Sequence, residues 1–239
     1  MQRATRTTPD VVRMSGVRFR WPGARGFSLS IEDFVLPAHQ RVLLVGPSGA
    51  GKSTFLSLLC GIVTPSAGRL EALGTDLTRL SNTARDYFRA EHFGIIFQMF
   101  NLLPYGSILD NVMLPLSFAR DRRERAGPAE DEARRLLQSL GLDAAELAGL
   151  SAANLSVGQQ QRVAAARALI GGPELIVADE PTSALDRDRQ LAFLDLLFAE
   201  AEAAGASVIL VSHEEQLGTR FDRVLRLDEI AVSERSAAA

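Results

Sequence analysis

Gly46-Pro47-Ser48-Gly49-Ala50-Gly51-Lys52-Ser53-Thr54 is the stretch from which the rest of the chain can be read. The apolar run before it, Arg41-Val42-Leu43-Leu44-Val45, reads as a buried strand. Phe55-Leu56-Ser57-Leu58-Leu59-Cys60 after it reads as a helix with its apolar face on a sheet. Gly61 suits the left-handed residue past a helix end, and Pro65 prevents a restart. Between strand and helix, glycines let backbone N–H groups curl around an anion, and the helix N-terminus adds partial positive charge. Strand, Gly-x-x-x-x-Gly-Lys-Ser pattern and helix together predict a P-loop. Lys52 is expected to reach the β- and γ-phosphates, and Ser53 to offer its hydroxyl oxygen to Mg²⁺.

Around this loop the chain has ordinary globular composition: 239 residues, 46% hydrophobic and 23% charged. A net charge of −3 gives no electrostatic footprint for nucleic acid, so no nucleic-acid partner is expected. Cys60, the single cysteine, excludes an internal disulfide, fits a reducing compartment and reads as a small buried hydrophobe. No apolar run is long enough to span a bilayer. The opening Met1–Asp10 lacks the hydrophobic segment of a secretory signal and reads as a frayed end.

Upstream of the loop, Val11–Phe19 and Phe27–Leu36 alternate as half-buried antiparallel strands do. Trp21, on the Trp21–Gly26 loop between them, either stacks on an adenine ring or caps the edge of the small sheet. Arg69–Gly74 looks like a strand returning to that layer, followed by a helix over Asn82–Arg89. His92–Gln98 reads as a buried strand that ends in Gln98, at the edge where α/β sheets put their ligands. From Met99 to about Leu155 the periodicity is helical, as over Glu130–Leu140. The charge run Asp121-Arg122-Arg123-Glu124-Arg125 is expected to be a solvated helix or loop.

Ser156 and Gln159 form a Ser-x-x-Gln capping box ahead of a helix running to about Ile170, which Gly171-Gly172-Pro173 stops. Such a helix start, with Gly158 in its first turn, is either a second anion site or a well-capped structural helix. The buried strand Leu175–Ala178 ends in Asp179-Glu180, a pair suited to hold Mg²⁺ and to activate water, or simply a solvated strand end. A turn through Asp186 leads into a helix over Arg187–Ala203. A last core strand, Ala206–Val211, ends in Ser212-His213, with His213 either sensing a phosphate or structural. Val224–Leu227 reads as a final strand and Ser233–Ala239 as a small-residue tail.

Taken in order, Gly46–Thr54, Gln98, Leu155–Gln159, Leu175–Glu180, Ser183–Asp186 and His213 resemble the ATP-binding cassette (ABC) ATPases over nearly the whole chain. The resemblance implies an α/β fold: a RecA-like P-loop parallel-sheet core, an N-terminal antiparallel β subdomain and an inserted α-helical subdomain. The core with its β subdomain is expected over 1–98 and 162–239, and the helical signature subdomain over 99–161. It further implies two subunits, head to tail, around two ATP. Lys52 and Ser53 would then bind phosphate and Mg²⁺, Gln98 would contact the metal and the attacking water, and Asp179 would hold the metal. Glu180 would be the general base and His213 a clamp on the γ-phosphate. Ser156, Gly158 and Gln159 would reach the opposite subunit's ATP, Asp186 would couple the two sites, and Trp21 would stack on adenine.

Phe97–Pro104, Asp110-Asn111-Val112 and Leu114-Pro115-Leu116 are similar to the lipoprotein-releasing and macrolide-export branch, which also holds the cell-division ATPase. Phe100, Leu102, Leu103, Pro104 and Tyr105 read either as subdomain core or, because Asn101, Pro104 and Gly106 break the segment into a loop, as the lining of an exposed groove. The branch implies a separate integral membrane permease, docking a helix at Phe100–Tyr105, and a cytoplasmic position against the inner membrane. Export or extraction of a lipidated or hydrophobic substrate follows, with signalling through the permease as the alternative. Three positions depart from the pattern. Val157 stands where the signature's first glycine is usual, His39-Gln40 stands for Gly-Glu, and Asp228-Glu229 for an Asp-Gly turn. A β-branched residue is costly at φ > 0, so Val157 is expected in the extended or right-handed region.

Overall fold

A computed structural model describes residues 10–23, 26–143 and 150–235. The expectations placed on 1–9, 24–25 and 236–239, and the part of the expected helical stretch over 144–149, lie outside the described residues. In chain order the elements are β1 (Asp10–Arg20), β2 (Phe27–Pro37), β3 (Arg41–Val45), α1 (Lys52–Leu59), β4 (Ala67–Ala72) and β5 (Thr75–Asp76). Next come α2 (Asn82–His92), β6 (Phe93–Ile96), α3 (Ile108–Met113), α4 (Arg120–Ala126), α5 (Ala129–Ser139) and α6 (Val157–Leu169). The chain closes with β7 (Leu175–Asp179), α7 (Arg187–Ala203), β8 (Ser207–Ser212), β9 (Arg223–Arg226), α8 (Leu227–Ile230) and β10 (Val232–Arg235).

Two sheets organise these elements: an antiparallel one ordered β10-β2-β1-β4-β5 and a parallel one ordered β6-β7-β8-β3-β9. Successive side chains on a strand point to opposite faces, and the parallel strands are apolar on both. Leu43, Ile176, Ala178, Val208 and Leu210 therefore pack on one side with α5, α6 and α7. Val42, Leu44, Leu175, Val177, Ile209 and Val211 pack on the other with α1 and the inner face of β1 and β2. The register is level: Val45 lies opposite Ser212, and Asp179 opposite Val211, so the strand tips open onto one edge.

Several boundaries differ from the sequence reading. Helix α2 continues to His92, and the strand after it ends at Ile96, leaving Gln98 on an exposed loop. The start of the expected tail, Ser233 to Arg235, instead joins Val232 in a strand antiparallel to β2, from Val232↔Ser30 to Arg235↔Phe27. The strand expected over Val224–Leu227 stops at Arg226, and buried Leu227 starts a short turn of helix.

The largest correction concerns the charge run. Helix α4 has no side-chain cap of its own. Glu91 of α2 supplies one, its carboxylate accepting from the N–H groups of Asp121 and Arg122 at 3.1 and 3.0 Å. Arg122 is not solvated: it is 1% exposed and donates to the carbonyls of Ala90, Phe93, Ala168 and Ile170. Two of those acceptors lie at the C-terminal end of α6, where helix carbonyls lack intrahelical partners. Charge patterning alone does not reveal that one arginine in such a run points inward.

Candidate active site

The loop from Gly46 to Gly51 joins β3 to α1 at the sheet's open edge. Gly51 is the N-cap of α1 at φ 109°, and a Cβ there would lie 2.5 Å from the Phe27 ring. Both the backbone angle and the space therefore demand glycine, and a glycine cap has no side chain to occupy the first turn. The start of α1 thus has the shape and the dipole that suit an anion. Lys52 is 6% exposed; its Nζ donates to Gly46 O at 2.7 Å and Pro47 O at 3.2 Å and lies 3.4 Å from Glu180 Oε1.

Asp179 ends β7. Burial pushes its carboxyl above the ordinary value, the nearby Ser53 hydroxyl opposes this, and the neighbouring Glu180 charge adds to the rise. A hydroxyl and a carboxylate side by side are hard oxygen donors, so Ser53 and Asp179 fit Mg²⁺ held jointly with phosphate oxygens. Glu180 has φ 45°, and its N–H donates to Val211 O at 3.0 Å. A left-handed non-glycine residue at a strand tip is strained and is often found at a functional site. His213 Nδ1 lies 3.6 Å from Glu180 Oε2, so Glu180 stands between Lys52 and His213.

Two features bear on the alternatives left open by the sequence. Trp21 is 40% exposed, packs edge-on against Phe19, and donates from Nε1 to Thr54 Oγ1 at 3.1 Å, which ties it to the P-loop helix. Val157 is the first residue of α6, outside the left-handed region. Ser156 caps that helix by accepting from Gln159 N–H, and the Gln159 side chain accepts in return from Ser156 N–H at 2.9 Å. Gln159 is therefore turned back on its own helix start and presents Ser156 rather than itself. Gly158 faces open space. Asp186 caps α7, accepting from Arg189 N–H at 3.0 Å. Ser156, Gly158 and Asp186 are not brought to the Lys52–Glu180 cluster within the described chain.

The segment expected to meet a membrane partner divides. Phe100 is 8% exposed and belongs to the core, Leu102 packs partly against it, and Tyr105 is 83% exposed. Phe100 and Leu103 do not line the neighbouring apolar groove of about 570 Å³. Tyr87, Phe93, Phe97, Leu114, Pro115 and Phe118 do.

The positioning roles of three side chains escaped the sequence reading. Gln190 of α7, 2% exposed, donates to Thr182 O and to Glu214 Oε1, linking the loop after Glu180 to the loop after His213. Asn111 of α3 is fully buried and pins the loop beyond Gln98 through Leu103 and Ser107. Arg167 of α6 holds the carbonyls of Phe100 and Asn101. Each is a polar residue at an apolar position of its helix, and that mismatch is the signal that was available.

Fold and site define a P-loop nucleoside triphosphatase. A family model described as ABC transporter matches residues 29–183, and the chain belongs to that family. It is 42% identical over 195 residues to the uncharacterized ABC transporter ATP-binding protein YbbA of Escherichia coli (strain K12), covering 82% of this chain and 83% of that protein. To the lipoprotein-releasing system ATP-binding protein LolD of Chromohalobacter salexigens it is 38% identical over 197 residues, covering 82% and 81%. A solved dimeric post-hydrolysis state of the ATP-binding cassette MJ0796, bound to ADP and Pi, is similar with TM-score 0.76 and 30% identity over 90% of this chain and 93% of that one. Among the described residues, no helix is long and apolar enough to cross a membrane.

Proposed function

We propose that this chain binds and hydrolyses ATP, that two copies close around two ATP molecules, and that they drive a separate membrane permease. The observation that carries the reading is Glu180 placed between buried Lys52 and His213 at the mouth of the P-loop. Lys52 would exchange its carbonyl partners and Glu180 for phosphate oxygens, where its charge offsets that of the γ-phosphate. Glu180, released from Lys52, would accept the proton of the attacking water while His213 holds the other carboxylate oxygen. Mg²⁺, held by Ser53 and Asp179, would neutralise charge on the phosphate oxygens. Ser156 and Gly158, unused within one chain, suit the second copy's ATP. The dimer of the similar MJ0796 cassette supports that arrangement.

Likeness to a lipoprotein-releasing ATPase supports extraction of a lipidated or hydrophobic substrate from the inner membrane. The permease would dock an apolar helix in the groove lined by Tyr87, Phe97 and Phe118. Phosphate release from ATP by the purified chain, lost in Lys52→Ala, tests the enzymatic part. Pull-down from solubilised membranes tests the permease. A chain that binds ATP but releases no phosphate, alone or with a captured permease, overturns the proposal.

A further inference from the structure

Just beyond Gln98 the chain doubles back through two consecutive left-handed residues, Phe100 at φ 58° and Asn101 at φ 48°. Asparagine tolerates that region, but a bulky aromatic residue does not, and such backbone persists only where its surroundings hold it. Local bonds supply part of the hold: Phe100 N–H donates to Phe97 O at 2.9 Å and Asn101 N–H to Met99 O at 2.6 Å. Burial of the Phe100 ring in the core adds to it, and a single guanidinium holds the turn's carbonyls. Arg167 Nη1 donates to Asn101 O at 2.7 Å, and Nη2 donates to Phe100 O. Arg167 is 8% exposed, and its environment is otherwise apolar enough that burial lowers its pKa. A planar fork satisfies two adjacent carbonyls at once, which an ammonium group cannot do in the same geometry.

The clamp sits near the far end of the helix that begins at Ser156. Eleven residues separate Ser156 from Arg167, roughly 17 Å at ~1.5 Å per residue. Helix α6 is continuous across that interval. We propose that Arg167 is a positioning residue for Gln98: by clamping the left-handed Phe100–Asn101 turn, it makes Gln98 follow α6. The proposal rests on the reading that Gln98 works on ATP.

The test is steady-state ATP turnover of the full-length chain, with kcat and the KM for Mg-ATP measured separately. Gln98→Ala sets the reference. Arg167→Met is expected to lower kcat about 10-fold, since small misplacements of a reacting group are costly, with KM within about threefold because the P-loop is untouched. Adding Arg167→Met to Gln98→Ala should cost less than about twofold more, because nothing remains to be positioned. Arg167→Lys keeps the buried cation and gives the same kcat loss to a lesser degree, which serves if the Met variant does not fold. Losses that multiply in the double variant, or full turnover by Arg167→Lys, overturn the clamp alone. Normal turnover by Gln98→Ala overturns the role of Gln98, and the clamp with it.

Discussion

Replacing Arg122 by methionine keeps the aliphatic stem and removes every donor from a site that is 1% exposed. Four carbonyls, those of Ala90, Phe93, Ala168 and Ile170, lose their partner. At about 1 kcal/mol for each acceptor left buried, the loss is ~4 kcal/mol. Some of this is offset, because burial already taxes the cation, pushing its pKa down to about 10. A net loss of about 3 kcal/mol is a large share of a domain stability of about 5–15 kcal/mol. Urea unfolding is the assay: with m near 3 kcal/mol/M, the midpoint should fall by about 1 M at unchanged m. Arg120, two residues earlier, pairs only with exposed Glu124, so Arg120→Met should leave the midpoint in place. A midpoint shift for Arg122→Met no larger than that for Arg120→Met would refute the reasoning.

Glu91→Gln should destabilise most near neutral pH. Burial works to raise the Glu91 pKa, but the donors on Arg122, Asp121 and Tyr87 outweigh it and hold it below 4.5. Its stabilisation is therefore complete above the ordinary carboxylate range and fades as pH falls through the folded value, so the gap to wild type in urea melts should close with acid. Cys60, its thiol pushed up to about 12 chiefly by burial, should resist thiol reagents at pH 8 until denaturant exposes it, giving one equivalent of label. Gly158→Val should leave the melting temperature near wild type, since a Cβ there meets nothing in the chain, yet abolish turnover; Val157→Gly should keep turnover within a few-fold. Phe118→Asp, on a side chain 66% exposed, should release the permease in a pull-down while ATP binding persists; unchanged capture would place the docking surface elsewhere.

What was legible in the sequence was whatever has a period or a fixed spacing. The buried runs of β3, β7 and β8 and the tips they carry are stretches of contiguous residues. Asp179, Glu180 and His213 are therefore placed at strand ends by the sequence alone. The capping box of Ser156 and Gln159 is equally local. Long-range satisfaction was not legible. Arg122 looked like one charge among five because its acceptors lie some thirty to fifty residues away, at Ala90 and Ile170. Phe100 looked like loop surface because neighbouring Asn101 and Pro104 break regular structure, and its burial depends on the left-handed turn that Arg167 holds. Strand β10 was hidden because Ser233, Glu234 and Arg235 form an edge strand whose pairing with β2, not its hydrophobicity, makes it a strand.

The central claim is that Glu180 is the base of an ATPase completed by a second copy of the chain. Glu180→Gln preserves size and hydrogen bonding but removes the proton acceptor. Phosphate release with the cognate permease should fall by about 10²–10⁴ while ATP binding survives. With hydrolysis blocked, light scattering in ATP and Mg²⁺ should show the variant accumulating as an ATP-bound dimer. Near-normal phosphate release by Glu180→Gln would contradict the account.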